Sequence, residues 1–310
     1  MEINDTTHYN LLEKIVMWFI NVLQVPVKYT YYTLKEMRIN QWYKNALVFA
    51  GVAFSGHLFN VRDDVMSVVA FFCFCVISGC GYIINDVTDR EKDVVNENKR
   101  NRPIASKRFP IKYALIIAGV LLAIAFGVSS FIGIGFLLIA IGYFALTLSY
   151  SLWLKNIVLV DIITVAFGFV IRAIAGCIVV NTNVSNWLLI CSFLLALFLV
   201  LNKRWYSLNV AKEQISYPIG ILQFYSEKML DKLISMTTSS LLVSYLVYVT
   251  FTKKDLILVS AVFVVYGIFR YLYLVQHLNK KADPDHLFKD KGLLIGMGCW
   301  VVCILLMSRV

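Results

Sequence analysis

The stretch "VMSVVAFFCFCVISGCGYIINDVTDREKDVVNENKRNRPIAS", Val65–Ser106, decides how the rest of the chain is read. Its first 20 residues, Val65–Ile84, carry no charged side chain. At about 1.5 Å per helical residue, such a run crosses a hydrocarbon layer of roughly 30 Å. The remainder packs five carboxylates, Asp86, Asp89, Glu91, Asp93 and Glu97, ahead of a basic group that includes Arg100 and Arg102. An apolar span thus ends abruptly in acid and then in base.

Working outward, the same kind of run recurs. The 310 residues are 59% hydrophobic and 15% charged, more apolar surface than one water-soluble core hides. The mean hydropathy is +0.73. Nine spans are expected: Trp42–Phe59, Val65–Ile84, Tyr113–Phe131, Ile132–Tyr150, Ile157–Val180, Trp187–Leu201, Ile234–Phe251, Leu256–Tyr273 and Leu293–Met307. The fold class is an all-α integral membrane protein. Upstream, Leu12, Ile15, Val16, Phe19 and Leu23 share one helical face opposite Glu13 and Lys14, and Pro26 closes the run. This reads as an interfacial helix, so residues 1–41 form an amphipathic N-terminal segment and 42–310 a single transmembrane domain.

The net charge of +10 does not indicate nucleic acid, because its distribution is topological. With the N-terminus in the cytoplasm, 23 of the 29 Lys and Arg residues fall inside. Four (Arg62, Lys253, Lys254 and Arg309) fall outside, and Arg172 and Arg270 lie within spans. The positive-inside rule then orients a multi-pass protein of the cell membrane, and its basic inner face suits anionic lipids and phosphorylated substrates. The seven cysteines lie within apolar runs and read as packing residues. None of the four histidines is near the acidic stretch.

Helical geometry groups the acids. At about 100° per residue from Asn85, Asp89 lies near 40°, Asp93 near 80° and Asp86 near 100°, so four oxygen-bearing side chains share a face. Like charges so placed repel one another and call for a cation. Hard oxygen donors, with water and phosphate completing the shell, suit Mg2+, for which Asn85, Asp86, Asp89 and Asp93 are the candidate ligands. The plainer alternative is a solvated helix end whose acids pair with Arg90 and Lys92.

On the same side, "YSLWLKNIVLVDIITVAFGFVIRAIAG" supplies Tyr150 and Lys155, then Asp161 about one turn into the fifth span. Arg172 follows 11 residues later, close to the same face. Ionisable groups at that depth are costly and are functional candidates, although an ion pair to another helix is the alternative. "FLVLNKRWYSL" adds Lys203 and Arg204, and "MRINQWYKN" adds Arg38, Gln41, Lys44 and Asn45. These cations ringing an acidic centre suit a diphosphate, although interfacial snorkelling would also account for the two basic clusters.

The run Asn85, Asp86, Asp89, Asp93, followed by "RNRPIAS", resembles the first signature of the UbiA superfamily of intramembrane prenyltransferases. The blocks "RINQWYKNALVFAG", "YSLWLKNIVLVDIITVAFGFVIRAIAG", "FLVLNKR", "YGIFRYLYLV" and "DPDHLFKDKGLL" extend that likeness toward the branch that transfers phosphoribose to decaprenyl phosphate. The resemblance implies a helical barrel and a Mg2+-dependent transferase. It implies a phosphoribosyl diphosphate donor, a polyprenyl phosphate acceptor and a role in cell-envelope polysaccharide synthesis. Asp86, Asp89, Asp93 and Asp161 would be catalytic. Arg38, Gln41, Lys44, Asn45, Arg100, Arg102, Tyr150, Lys155, Arg172, Lys203 and Arg204 would bind substrate.

Two departures bear on this. Asp161 is followed at the fourth position by Val165, where many relatives that use prenyl diphosphates carry a second Asp, and Trp205, Tyr206 and Ser207 stand where an acid is expected after the basic pair. Prenyl transfer to an aromatic or other small acceptor is the alternative activity. An ion-coupled transporter is a further one, disfavoured because the acids gather at one membrane face rather than at the midplane of a repeat. Homo-oligomers are compatible with the sequence.

Overall fold

The computed structural model describes residues 28–54, 58–97, 99–213, 220–252, 255–277 and 290–307. The amphipathic helix expected around Leu12–Leu23 and residues 283–289 of the last resemblance block lie outside the described residues. Every regular element among the described residues is helical. They are α1 (28–36), a 3-10 helix (Ile39–Phe49), α2 (Ala50–Phe54), α3 (Val61–Thr88), α4 (Arg90–Val95), α5 (Ile111–Ile132) and α6 (Ile134–Leu152). Then come a 3-10 turn (Leu154–Asn156), α7 (Val160–Val179), α8 (Asn186–Glu213), a short 3-10 segment (Gly220–Phe224), α9 (Glu227–Thr252), α10 (Asp255–His277) and α11 (Lys291–Met307).

Seven of these, α3 and α5 to α10, are long and apolar enough to cross a membrane, and α11 is a shorter apolar helix. The expected nine spans are therefore not confirmed as nine. The difference lies in two of them: Leu293–Met307 is the shorter α11, and Trp42–Phe59 is not one α-helix but, in its described part, the 3-10 helix running into the five-residue α2. A 3-10 helix rises about 2.0 Å per residue, so Ile39–Phe54 still reaches roughly 30 Å. Close packing accompanies the irregular winding. A Cβ on Gly176 of α7 would sit 2.0 Å from the Val48 carbonyl oxygen, and one on Gly51 would sit 2.2 Å from the Gly176 backbone. Only two glycines let these backbones meet, as small residues do between membrane helices.

Burial ranks the helices. Within their apolar windows α3 is 61% and α7 56% buried, against 17% for α5 and 22% for α6. α3 and α7 are thus the central helices, and they carry the two acidic positions read from the sequence. One apolar core packs Phe74, Ile77, Phe136 and Val48 between α3, α6 and the 3-10 helix. A second packs Phe198, Leu201, Leu230 and Leu274 among α8, α9 and α10. α5 and α6 turn back within one residue at Gly133, whose φ of 154° is glycine territory. α8 to α11 follow one another in contact, and α11 returns to α2 with Trp300 beside Phe54, 6.5 Å between ring centroids.

Candidate active site

Asn60 caps α3 by accepting from the Arg62 and Asp63 amides, and the helix runs 28 residues to Thr88. Asp89, with φ −93° and ψ 3°, breaks it before α4 carries Asp93. The four oxygen-bearing groups consequently form two pairs. Asp86 and Asp93 share Arg102, whose Nη1 donates to Asp86 Oδ1 at 2.9 Å and to Asp93 Oδ2 at 2.7 Å. Lys155 Nζ donates to Asp89 Oδ1 at 2.8 Å, Asn85 Oδ1 at 3.2 Å and Thr88 Oγ1 at 3.2 Å. The single face expected for all four on one continuous helix is thus divided at Asp89. Arg90 and Lys92, the partners of the plainer reading, are not those that hold Asp86, Asp89 and Asp93.

Arg38 completes the first pair. It sits in the left-handed region at φ 51°, donates to Asp86 Oδ1 at 2.5 Å, and stacks on Tyr82 with 4.6 Å to the ring centroid. Lys99 adds a contact to Asp93 at 3.5 Å. Arg100 is exposed in the following loop.

Glu36, which the sequence reading passed over, lies beneath this group. It is 2% exposed and accepts from the Ile104 amide at 2.9 Å, tying α1 to the loop that holds Arg102. Burial, then a hydrogen bond and the negative charge of Asp86, push its carboxyl up to about 7, against the pull of the Ile104 amide and Arg102. Folding therefore favours the protonated form: the stabilisation is complete below about 4.5 and is lost as pH rises through about 7. In metal-free buffer, Glu36→Gln should flatten the fall in thermal stability across that window. Glu36→Leu should unfold earlier at every pH because it leaves the Ile104 amide unpaired.

The second centre forms around Asp161, which is fully buried at 0% exposure. Oδ2 accepts from Arg204 Nη2 at 2.7 Å and Oδ1 from Tyr225 Oη at 2.6 Å. Tyr225 Oη in turn accepts from the Leu159 amide at 2.8 Å. Burial and the Asp161 carboxylate raise the Tyr225 phenol above its ordinary value, so it remains the donor. Tyr150 lies within electrostatic reach of Arg204, Asp161 and Asp89, between the two centres. Tyr225 sits in the connection between α8 and α9, and no charge pattern in the sequence marks it.

Arg172 and Asn45 are not with the acids. Arg172 is buried and donates to Asn45 Oδ1 (2.7 Å), Gly168 O (2.9 Å) and Tyr143 Oη (2.5 Å). Asn45 also donates to Ser78 Oγ at 3.2 Å and Cys75 Sγ at 3.3 Å. The shared face expected for Asp161 and Arg172 thus does not make them partners. Eleven residues separate them by about 16 Å along α7, and Arg172 joins α6, α7 and the 3-10 helix instead. Lys44 donates to Gln41 at 3.0 Å and lies over the Tyr43 ring, while Lys203 is half-buried beside Arg204 on α8. That helix continues well past the expected Leu201, to Glu213.

One pair of carboxylates, Asp86 and Asp93, and one amide–carboxylate pair, Asn85 and Asp89, are each bound by a cation, an arrangement that can accept an anionic substrate once those cations turn to it. The model of the UbiA prenyltransferase family matches residues 46–291. The chain belongs to that family. This UbiA chain is accordingly a transferase in a multi-pass membrane fold, which sets the transporter reading aside. It is 29% identical over 283 residues to a decaprenyl-phosphate phosphoribosyltransferase of Corynebacterium glutamicum, covering 88% of this chain and 85% of the relative. A protein of the same name from Mycolicibacterium smegmatis is 32% identical over 68% of each chain. In fold, the chain is similar to a UbiA homolog from Archaeoglobus fulgidus solved with GPP and Mg2+. The TM-score is 0.70 at 16% identity, covering 90% of this chain and all of that one.

The donor set fits Mg2+. Among the described residues no three Asp, Glu, His or Cys side chains converge into a ready-made cage. Mg2+ does not need one, since it commonly takes one or two carboxylates and keeps water and phosphate oxygens. Asp86 Oδ2 is buried without a hydrogen-bond partner, which leaves it to the protonated Glu36 carboxyl or to a divalent ion.

Proposed function

We propose that this UbiA-family transferase moves 5-phosphoribose from phosphoribosyl diphosphate to a polyprenyl phosphate, supplying precursors for cell-envelope polysaccharide. The observation that carries the reading is the likeness to the Corynebacterium enzyme across 85% of that protein's length. The lone Asp161 accords with it, because its fourth following residue is Val165 rather than a second acid.

Asp86, Asp89 and Asp93, with Asn85, would hold Mg2+, which when bound supplies positive charge to the donor's diphosphate. The remaining work falls to this chain's own groups. Lys155 would turn from Asp89 toward a diphosphate oxygen, and Arg204 would offer the guanidinium N–H groups that Asp161 does not use. The bond from ribose C1 to the diphosphate breaks as a polyprenyl phosphate oxygen bonds to C1, and the diphosphate departs with the electron pair. The acceptor oxygen is already ionised at neutral pH, so no strong general base is required. Cations fixed in advance beside the leaving group lower the barrier by stabilising the charge that grows there.

The proposed orientation puts this end of the bundle and the N-terminus in the cytoplasm of a cell-membrane protein, supported by the division of 23 inner to four outer Lys and Arg residues. Incubating the purified protein with labelled phosphoribosyl diphosphate, Mg2+ and decaprenyl phosphate should move label into the lipid fraction. Consumption of a labelled prenyl diphosphate, with no phosphoribosyl lipid formed, would favour prenyl transfer instead.

A further inference from the structure

Asp161 is the acid that sequence reasoning ranks with the catalytic group, yet it has no surface to offer a ligand. Its exposure is 0%, and both oxygens are engaged at 2.6 and 2.7 Å. An ion at Asp161 would have to displace Arg204 or the buried Tyr225, which is 4% exposed. Asp86 and Asp93 are buried too, but Asp86 Oδ2 has no hydrogen-bond partner and both partners of Asp93 are partly exposed cations, Arg102 and Lys99. Asp89 is 18% exposed and bound by an exchangeable lysine. Arg204, at 25% exposure, is the member of the second centre that a substrate can reach.

Tyr225 is placed to set this geometry. It is 4% exposed, follows the 3-10 segment Gly220–Phe224 and reaches back to α7. One phenol oxygen donates to Asp161 and accepts from Leu159, whose φ of 68° is a left-handed conformation that leucine rarely adopts. The same group therefore fixes the carboxylate and the strained turn that starts its helix. A carboxylate held at a second point cannot swing with Arg204, so the guanidinium keeps one direction. Arg204 Nη2 is the atom so held, and the side chain's 25% exposure leaves its other N–H groups within reach of a substrate.

Resting on the proposed reading that a diphosphate binds here, we infer that Asp161 is not a metal ligand in this chain. Asp161 and Tyr225 are positioning residues that aim Arg204 at the substrate's phosphates. The prediction separates anion binding from metal binding.

The test uses the full chain in nanodiscs. Binding of labelled inorganic diphosphate reads the anion site, Mn2+ affinity by electron paramagnetic resonance reads the metal site, and donor KM and kcat come from transfer. Tyr225→Phe should weaken diphosphate binding and raise donor KM by about tenfold, the scale of one lost hydrogen bond to a charged group. Its kcat should fall by less, and its Mn2+ affinity should stay at the wild-type value. Asp161→Asn keeps an acceptor for Tyr225 while freeing Arg204, and should behave alike should Tyr225→Phe prove unstable. Asp89→Asn, the contrast, should weaken Mn2+ binding. Loss of Mn2+ affinity in Asp161→Asn equal to that in Asp89→Asn overturns the inference. Diphosphate binding that is unchanged in both Tyr225→Phe and Asp161→Asn overturns it as well. A wild-type chain that binds inorganic diphosphate without transferring phosphoribose contradicts the donor assignment alone, and the binding comparison still decides the role of Tyr225.

Discussion

Asp89→Asn is expected to lower phosphoribosyl transfer by about 100- to 1,000-fold, the usual scale for removing one preorganised charge contact from a transition state. The protein should remain folded. Asp89 is partly exposed, and Lys155 would keep Asn85 and Thr88 as neutral acceptors at 3.2 Å. Transfer of label into lipid, measured beside thermal unfolding in detergent, checks both halves. A variant that is inactive because it no longer folds would make Asp89 a structural acid.

The opposite balance is expected one turn away. Arg102→Gln removes the guanidinium shared by Asp86 and Asp93, whose side chains are 2% and 3% exposed. Two buried carboxylates would then face each other with Arg38 and Lys99 as their remaining cations. Stripping one partner from a buried ionic group costs about 3–5 kcal/mol, so this variant should lose stability before any question of turnover arises. Adding Asp93→Asn should recover part of the loss by relieving the repulsion, a coupling that a double-mutant cycle of unfolding measures. Equal stability of Arg102→Gln and wild type would mean that the pair is held by something else.

These contrasts explain what the sequence could reveal. α3 was legible because 20 uncharged residues leave no other use for the segment, and its acids were legible because charge returns at one edge. Their division into two pairs was not, because the helical angles assume one unbroken helix and Asp89 interrupts it. Asp161 stood out because a carboxylate near an apolar run is costly. Arg172 stood out for the same reason, but its partners could not be read: a buried cation can be satisfied by an amide, a carbonyl and a phenol, and none of those announces itself as a partner. Glu36 and Tyr225 were invisible because their importance lies in contacts 68 and 64 residues away. The composite first segment was hidden for a related reason, since the contact of Val48 with Gly176 exists only once α7 is in place.

The central claim is that the acids at the end of α3 and in α4 meet the diphosphate of a phosphorylated sugar through a divalent ion. The most direct measurement is a density map of the full chain with Mg2+ and phosphoribosyl diphosphate. The account predicts an ion about 2.0–2.1 Å from oxygens of Asp86, Asp89 or Asp93. It also predicts the diphosphate against Lys155 and Arg204, with Asp161 still bonded to Tyr225. Carboxylates that keep their Arg102 and Lys155 partners while the donor lies at another part of the bundle would contradict it.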